Sequence, residues 1–176
     1  ASEVEKRNKA LPTLVSYAGI VSKTGYPSRA VKIYKDKEAD WIKKDKNLLT
    51  SYRKGRDKYS VSCGACHQAD GKGLPNMAPA LAKSDWVTGE PNRLIGVTVH
   101  GLMGPIKVNG KLVEDVPPIM PPHGFMKDDQ LASILTYVRN AWGNRSGLIS
   151  NQDVAGYRKS ESARTAENQR PFVLRK

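Results

Sequence analysis

Cys63 and Cys66 are the only two cysteines in 176 residues, and both stand in Cys63-Gly64-Ala65-Cys66-His67. The spacing C-x-x-C-H is the attachment signature of a c-type haem. Two thiols add to the two vinyl groups of one porphyrin, and the adjacent His67 brings an imidazole nitrogen to the iron. Gly64 and Ala65 are small, which suits backbone lying against the porphyrin edge. Two other chemistries compete. Zinc usually takes four protein ligands in a structural site, and there is no second cysteine pair to supply them. A thioredoxin-type C-x-x-C would open a helix after a strand. A short pattern can also arise by chance.

A haem iron with one histidine commonly takes a methionine on its other face. The thioether is a soft, neutral donor that favours ferrous iron relative to a second imidazole. Met120 is the strongest candidate, in Val116-Pro117-Pro118-Ile119-Met120-Pro121-Pro122-His123-Gly124. Four prolines fix φ locally and cannot enter a helix or central strand, so the spacing predicts a stiff loop holding the sulfur. Met126, Met103, His100 and His123 remain as alternatives, and a methionine is also an adaptable core filler.

The proximal histidine needs an acceptor for its other ring nitrogen. The loop Leu74-Pro75-Asn76-Met77-Ala78-Pro79-Ala80-Leu81 follows the motif. We expect the Pro79 carbonyl as that acceptor and Leu81 as a side chain packed on the haem.

The elements that must position these groups are short helices. A helix of about ten residues is expected within Leu48–Val61, with Gly55 and Tyr59 four apart on one face. A mid-helix glycine costs ~1 kcal/mol against alanine, and close crossing by another helix would explain it. The partner is Asp128–Trp142, where Leu131, Ile134, Leu135, Val138 and Trp142 form one apolar stripe. Arg139 suits its last turn and Gly143 its C-cap. A middle helix is predicted from Pro91 to about Val99, with proline at its first position. Asn109-Gly110 predicts a hairpin pairing Ile106–Val108 with Lys111–Val113.

Charge divides the chain in three. The formal net charge of +12 splits into +8 over residues 1–58, zero over 59–143 and +4 over 144–176. Such flanks suit an acidic protein, nucleic acid or an anionic membrane surface as partner. Neither flank shows a nucleic-acid module or aromatic stacking motif, so nucleic acid is not expected. The longest charge-free runs are 13 residues, Ala10–Ser22 and Leu94–Ile106. A bilayer span needs roughly 20 apolar residues, so no transmembrane segment is expected. Two cysteines also exclude a disulfide-dense scaffold. The first flank, punctuated by Leu11-Pro12-Thr13 and Gly25-Tyr26-Pro27-Ser28, is expected to hold one or two short helices, and Arg164–Lys176 an extended arm.

These residues together resemble class I cytochrome c over roughly Tyr52 to Asn144. The matching pieces are Cys63-Gly64-Ala65-Cys66-His67, Met120-Pro121-Pro122 and Leu135-Thr136-Tyr137-Val138-Arg139-Asn140, in that order. Gly55 and Tyr59 match the family's crossing with Ile134 and Tyr137. Gly73-Leu74-Pro75, Ser84-Asp85-Trp86-Val87, His100-Gly101-Leu102, Gly104-Pro105-Ile106 and Val108-Asn109-Gly110-Lys111 are similar to a bacterial subfamily. That subfamily supplies haem domains or subunits beside quinoprotein dehydrogenases and other periplasmic oxidoreductases. Lys127 departs from the family's usual Ser or Thr cap, so Asp128 is expected to cap in its place.

The resemblance implies a mainly α class I cytochrome c fold, short helices around one covalent haem c, with a small hairpin and basic extensions. The expected divisions are an N-terminal extension over 1–48, the haem domain over 49–144 and a C-terminal arm over 145–176. Cys63 and Cys66 would be consumed as thioethers, leaving no disulfide, with His67 and Met120 as iron ligands. The implied function is one-electron transfer, not catalysis, as a carrier or the cytochrome subunit of an oxidoreductase. Its place is the periplasm, any signal peptide already removed. Its partner would be a redox protein with an acidic docking surface, such as a periplasmic dehydrogenase or reductase. An open-site, peroxidase-like haem enzyme and a haem-based gas sensor stay as alternatives.

Overall fold

The computed structural model describes residues 38–75, 77–113 and 119–162. The chain divides into two compact units, Ala1–Lys44 and Asp45–Lys176. The described part of the first holds one short helix, α1 (Asp40–Lys44), which buries Ile42. The helices expected earlier in that flank, the arm 164–176 and the Val116-Pro117-Pro118 part of the proline loop lie outside the described residues.

The second unit opens with α2 (Lys46–Ser62), 17 residues where about ten were expected. The extra turns come from a cap. The Asp45 carboxylate accepts from the N–H groups of Asn47 and Leu48, at 2.9 and 3.0 Å, and starts the helix before its apolar face begins. Next come α3 (Gly64–His67), α4 (Asp85–Thr88) and α5 (Pro91–His100). Pro91 stands at the start of α5, and the Glu90 side chain accepts from the Arg93 N–H at 2.8 Å. Residues Leu94–Val99 of α5 are all buried, so the helix runs through the middle of the unit.

The hairpin forms in the expected register. Strands β1 (Ile106–Val108) and β2 (Lys111–Val113) pair antiparallel, Ile106 opposite Val113 and Val108 opposite Lys111. Asn109 and Gly110 both have positive φ, +50° and +77°, as a two-residue hairpin turn requires. Asn109 also ties the hairpin to α4: its Oδ1 accepts from the Asp85 N–H at 3.0 Å, and its own N–H donates to Asp85 Oδ1 at 2.8 Å.

The last two helices are α6 (Asp128–Val138) and α7 (Asn151–Ser162). Helix α6 ends four residues before the expected Trp142. The reason lies in two side chains. Asn140 Nδ2 donates to Thr136 O at 2.7 Å and to Gly147 O at 2.8 Å, drawing a later loop onto the helix end. Arg139 is buried and does not lie along a solvated last turn. Its guanidinium donates to Val87 O, Gly89 O and Ser146 O at 2.6–3.1 Å. At the other end Lys127, not Asp128, is the N-cap, and its N–H donates to Gln130 Oε1 at 3.1 Å.

Helices α2 and α6 cross at Gly55. Its Cα lies so close to α6 that an added Cβ would overlap the Ser133 carbonyl and sit 2.8 Å from Tyr137 Cβ. Tyr52, Gly55 and Tyr59 form the buried face of α2. Their rings pack tilted against Tyr137, with centroids 5.0 Å (Tyr52) and 5.2 Å (Tyr59) away, and Trp142 joins 5.1 Å from Tyr59. Each such ring pair adds about 0.5–1.5 kcal/mol beyond its buried area.

Beyond Asn144, where an arm was expected, the chain returns to the fold as far as Ser162. The Thr136 hydroxyl donates to Ile149 O at 3.1 Å and accepts from its N–H at 3.0 Å. Ile149 and Val154 are buried, and α7 packs on α5 and α6.

Candidate haem site

Helix α2 delivers the motif. Cys63 is its C-cap, with its N–H donating to Tyr59 O at 2.9 Å. One further turn, α3, carries Cys66 and His67, whose N–H groups both donate to Cys63 O, at 3.2 and 3.0 Å. Two thiols three residues apart on one turn face the same side. Both are free, Cys63 half-buried and Cys66 exposed. Burial, aided by the neighbouring Cys66, pushes the Cys63 thiol up to about 12. That is the opposite of a thiol-exchange pair, whose attacking cysteine is held low. Among the described residues no group of three or more His, Cys, Asp or Glu side chains could hold a metal ion, so a zinc ion at Cys63 and Cys66 would find no further donors among them.

His67 is buried, and its Nδ1 lies 3.1 Å from Pro79 O. A carbonyl oxygen only accepts, so the proton sits on Nδ1 and the Nε2 lone pair is left for a metal. Burial lowers the His67 pKa first; the Pro79 carbonyl opposes this, and the nearby charge of His123 lowers it further. Burial thus favours the neutral imidazole, the form that ligates. The Pro79 carbonyl is held by its loop: Leu74 and Ala78 exchange two backbone hydrogen bonds at 3.0 Å. The Leu81 N–H donates to Gly71 O at 2.7 Å, and its carbonyl accepts from Asn144 Nδ2 at 3.1 Å. Its side chain is half-buried.

On the opposite side of the sequence from His67, Met120 forms an isolated two-bond bridge with Leu102, each N–H donating to the other's carbonyl at 2.9 Å. Its side chain packs on Val97, Leu102 and Ile106 together with Trp86 and the hairpin. Gly101, at φ +77°, makes room: a Cβ there would meet Met120 O, the Pro121 backbone and Pro122 N. The rival ligands are placed differently. Met103 is 48% exposed. The Met126 side chain lines a groove of about 550 Å³ beside Lys54, Val61 and Phe125. His100 Nε2 lies 3.5 Å from Glu161 Oε2, on α7. His123 keeps its N–H bonded to Thr98 O at 2.9 Å, while its ring Nδ1 is buried without a hydrogen-bond partner among the described residues.

Sequence reasoning missed the residues that hold these loops. Asn144 Nδ2 donates to Val138 O at 2.8 Å as well as to Leu81 O, and its Oδ1 accepts from the Lys83 N–H at 2.7 Å. Trp142 Nε1 donates to Ala69 O at 3.0 Å. The partners are 61–73 residues away for the Lys83, Leu81 and Ala69 bonds, so no local pattern could point to them.

Paired thiols on one turn, a neutral buried imidazole with a free Nε2, and an orphaned polar atom at His123 fit a covalent haem. The chain matches the family described as cytochrome c over residues 52–142. It is 31% identical over 118 residues to the gluconate 2-dehydrogenase cytochrome c subunit of Pantoea cypripedii, covering 61% of this chain and 24% of that protein. It is 34% identical over 91 residues to cytochrome c-552 of Thermus thermophilus, covering 49% and 67%. It is 31% identical over 109 residues to the cytochrome c subunit of the quinone alcohol dehydrogenase of Gluconacetobacter polyoxogenes, covering 59% and 22%. The chain thus spans about a quarter of the dehydrogenase subunits it matches. It belongs to the cytochrome c family, and its prosthetic group is a covalently attached haem c with its iron. The fold is that of class I cytochrome c, mainly helical with one small hairpin. Among the described residues no helix is long and apolar enough to cross a membrane.

Proposed function

We propose that this protein transfers single electrons through its haem c, as a carrier or as the cytochrome subunit of an oxidoreductase, and is not itself a catalyst. Cys63 and Cys66 hold the haem as thioethers, His67 and Met120 are the axial ligands, Pro79 orients His67, and Leu81 packs on the porphyrin. The haem supplies a one-electron ferric/ferrous couple. The protein's part is to hold both axial donors still, so that little rearranges when the charge changes. The observation that supports this reading is the tethering of both ligand residues: the His67 ring on Pro79 O, and the Met120 main chain on Leu102. A site with both faces filled has no position for peroxide or a gas.

The compartment is the bacterial periplasm, where thioether attachment belongs in this family. The partner is a dehydrogenase or reductase with an acidic docking surface. Support comes from the relatives named as subunits of gluconate and alcohol dehydrogenases, and from the net charge of +12. Within the chain, 49–144 is the haem-binding part, and 1–48 and 145–176 are extensions, the second of which contributes α7 to the same compact unit.

The test is the visible spectrum of the oxidised protein. The weak red-end band of iron–sulfur ligation is expected. A high-spin ferric spectrum would overturn the carrier reading in favour of an open site.

A further inference from the structure

Residues 124–126 connect Met120 and its proline neighbours to α6. Arg158, on α7, reaches across to them. Its Nη1 donates to Gly124 O at 2.7 Å and its Nη2 to Met126 O at 2.7 Å, while its Nε lies 2.8 Å from Asp128 Oδ1. The two carbonyl contacts are hydrogen bonds, and the Asp128 contact is an ion pair without hydrogen-bond geometry at Nε. Upstream, the loop is tied by the Met120–Leu102 bridge and by the His123 N–H on Thr98 O. Downstream of His123, among the described residues, the hydrogen bonds that fasten 124–126 to another element are those of Arg158.

Arg158 is itself held in place. The Ser150 and Asp153 side chains cap α7, Asp153 Oδ2 accepting from the Ser150 N–H at 2.7 Å and Ser150 Oγ from the Asp153 N–H at 3.2 Å. Val154 is fully buried one turn before Arg158. The Tyr157 hydroxyl fits so closely over α5 that a Cβ at Gly96 would come within 2.6 Å of it. A planar, permanently charged fork on such a base is suited to gripping two carbonyls and a carboxylate at fixed spacing, which a lysine cannot do.

We propose that Arg158 is a positioning residue for the axial methionine: α7 braces the ligand loop and keeps Met120 on the iron. This rests on the reading of Met120 as a ligand. Helix α7 lies beyond residue 142, where the family match ends, so the brace is supplied by the chain's own extension. Its consequence is specific. An external ligand reaches the iron only when the loop swings away, and the brace makes that opening costlier.

The experiment titrates imidazole into the ferric holoprotein and follows loss of the red-end sulfur band. Arg158→Ala is expected to raise the apparent imidazole affinity about tenfold, the effect of losing roughly one charge-assisted contact. Arg158→Lys, which retains the charge and loses the fork, is expected to move in the same direction. Gln152→Ala, at an exposed position of α7 that makes none of these bonds, is expected to leave the affinity unchanged. Wild-type affinity in Arg158→Ala, or an equal shift in Gln152→Ala, overturns the proposal. Amide hydrogen exchange at Met120 and His123 supplies a readout independent of the iron: it is expected to quicken in Arg158→Ala, and unchanged exchange overturns the brace. A red-end band that survives Met120→Ala would instead refute the ligand assignment, leaving exchange to judge the brace.

Discussion

The Cα of Gly55 sits against the backbone carbonyl of Ser133, so closely that no side chain fits between α2 and α6. This contact fixes the approach of the helix that delivers Cys63 to the helix that follows the Met120 loop. It therefore couples the packing of the unit to the geometry of its site.

Gly55→Ala is expected to lower stability by about 2 kcal/mol. Overpacking against a carbonyl that cannot rotate away costs about 3 kcal/mol. Better helix propensity returns about 1 kcal/mol. Denaturant unfolding of the holoprotein checks this, and an Ala variant as stable as wild type would show that the helices can move apart freely.

Covalent haem should vanish when both thiols do. Cys63→Ala with Cys66→Ala leaves no cysteine in the chain, so acid–acetone extraction is expected to remove all haem from the double variant. Each single variant retains one thiol and is expected to keep haem through one thioether. Haem resisting extraction in the double variant would refute thioether attachment at these residues.

As the proposed axial ligand, Met120 is expected to set the potential. Met120→His exchanges a thioether for an imidazole that favours ferric iron, so the reduction potential should fall by on the order of hundreds of millivolts, within the ~0.8 V that axial ligands span. The red-end band is expected to disappear. Redox titration of Met120→Ala with unchanged potential and spectrum would reassign the ligand, and Met126 would be tested next.

Electron exchange with the physiological partner is expected to slow as salt rises, since steering by charge is screened. At about 0.15 M ionic strength the screening length is ~8 Å, so charges near the contact dominate. Deleting residues 1–44 removes a net charge of +5 and spares Asp45, which caps α2. The truncated protein should show a weaker salt dependence and an unaltered haem spectrum. Lower thermal stability with the same salt dependence would mean that the extension is structural and does not steer docking.

What the sequence determined by itself was whatever depends on near neighbours. Cys63, Cys66 and His67 fall on one helical turn, so their spacing alone states their joint chemistry. The hairpin follows from Asn109-Gly110, whose two residues tolerate positive φ, and the start of α5 from Pro91. Helix periodicity placed Leu131, Ile134, Leu135 and Val138 on the buried α6, because a 3.6-residue repeat is visible in the residues themselves. Tertiary structure decided where that stripe stops. Arg139 and Asn140 turn from the helix to carbonyls at Val87, Gly89, Ser146 and Gly147, and no 3.6-residue pattern encodes a partner 50 residues away. It also decided which loops are held and by what. Asn144 fastens the loop at Leu81 and Lys83, and Arg158 fastens the loop at Gly124 and Met126. Each of these side chains satisfies backbone groups brought near only by folding, a long-range hydrogen-bonding requirement that leaves little trace in local sequence.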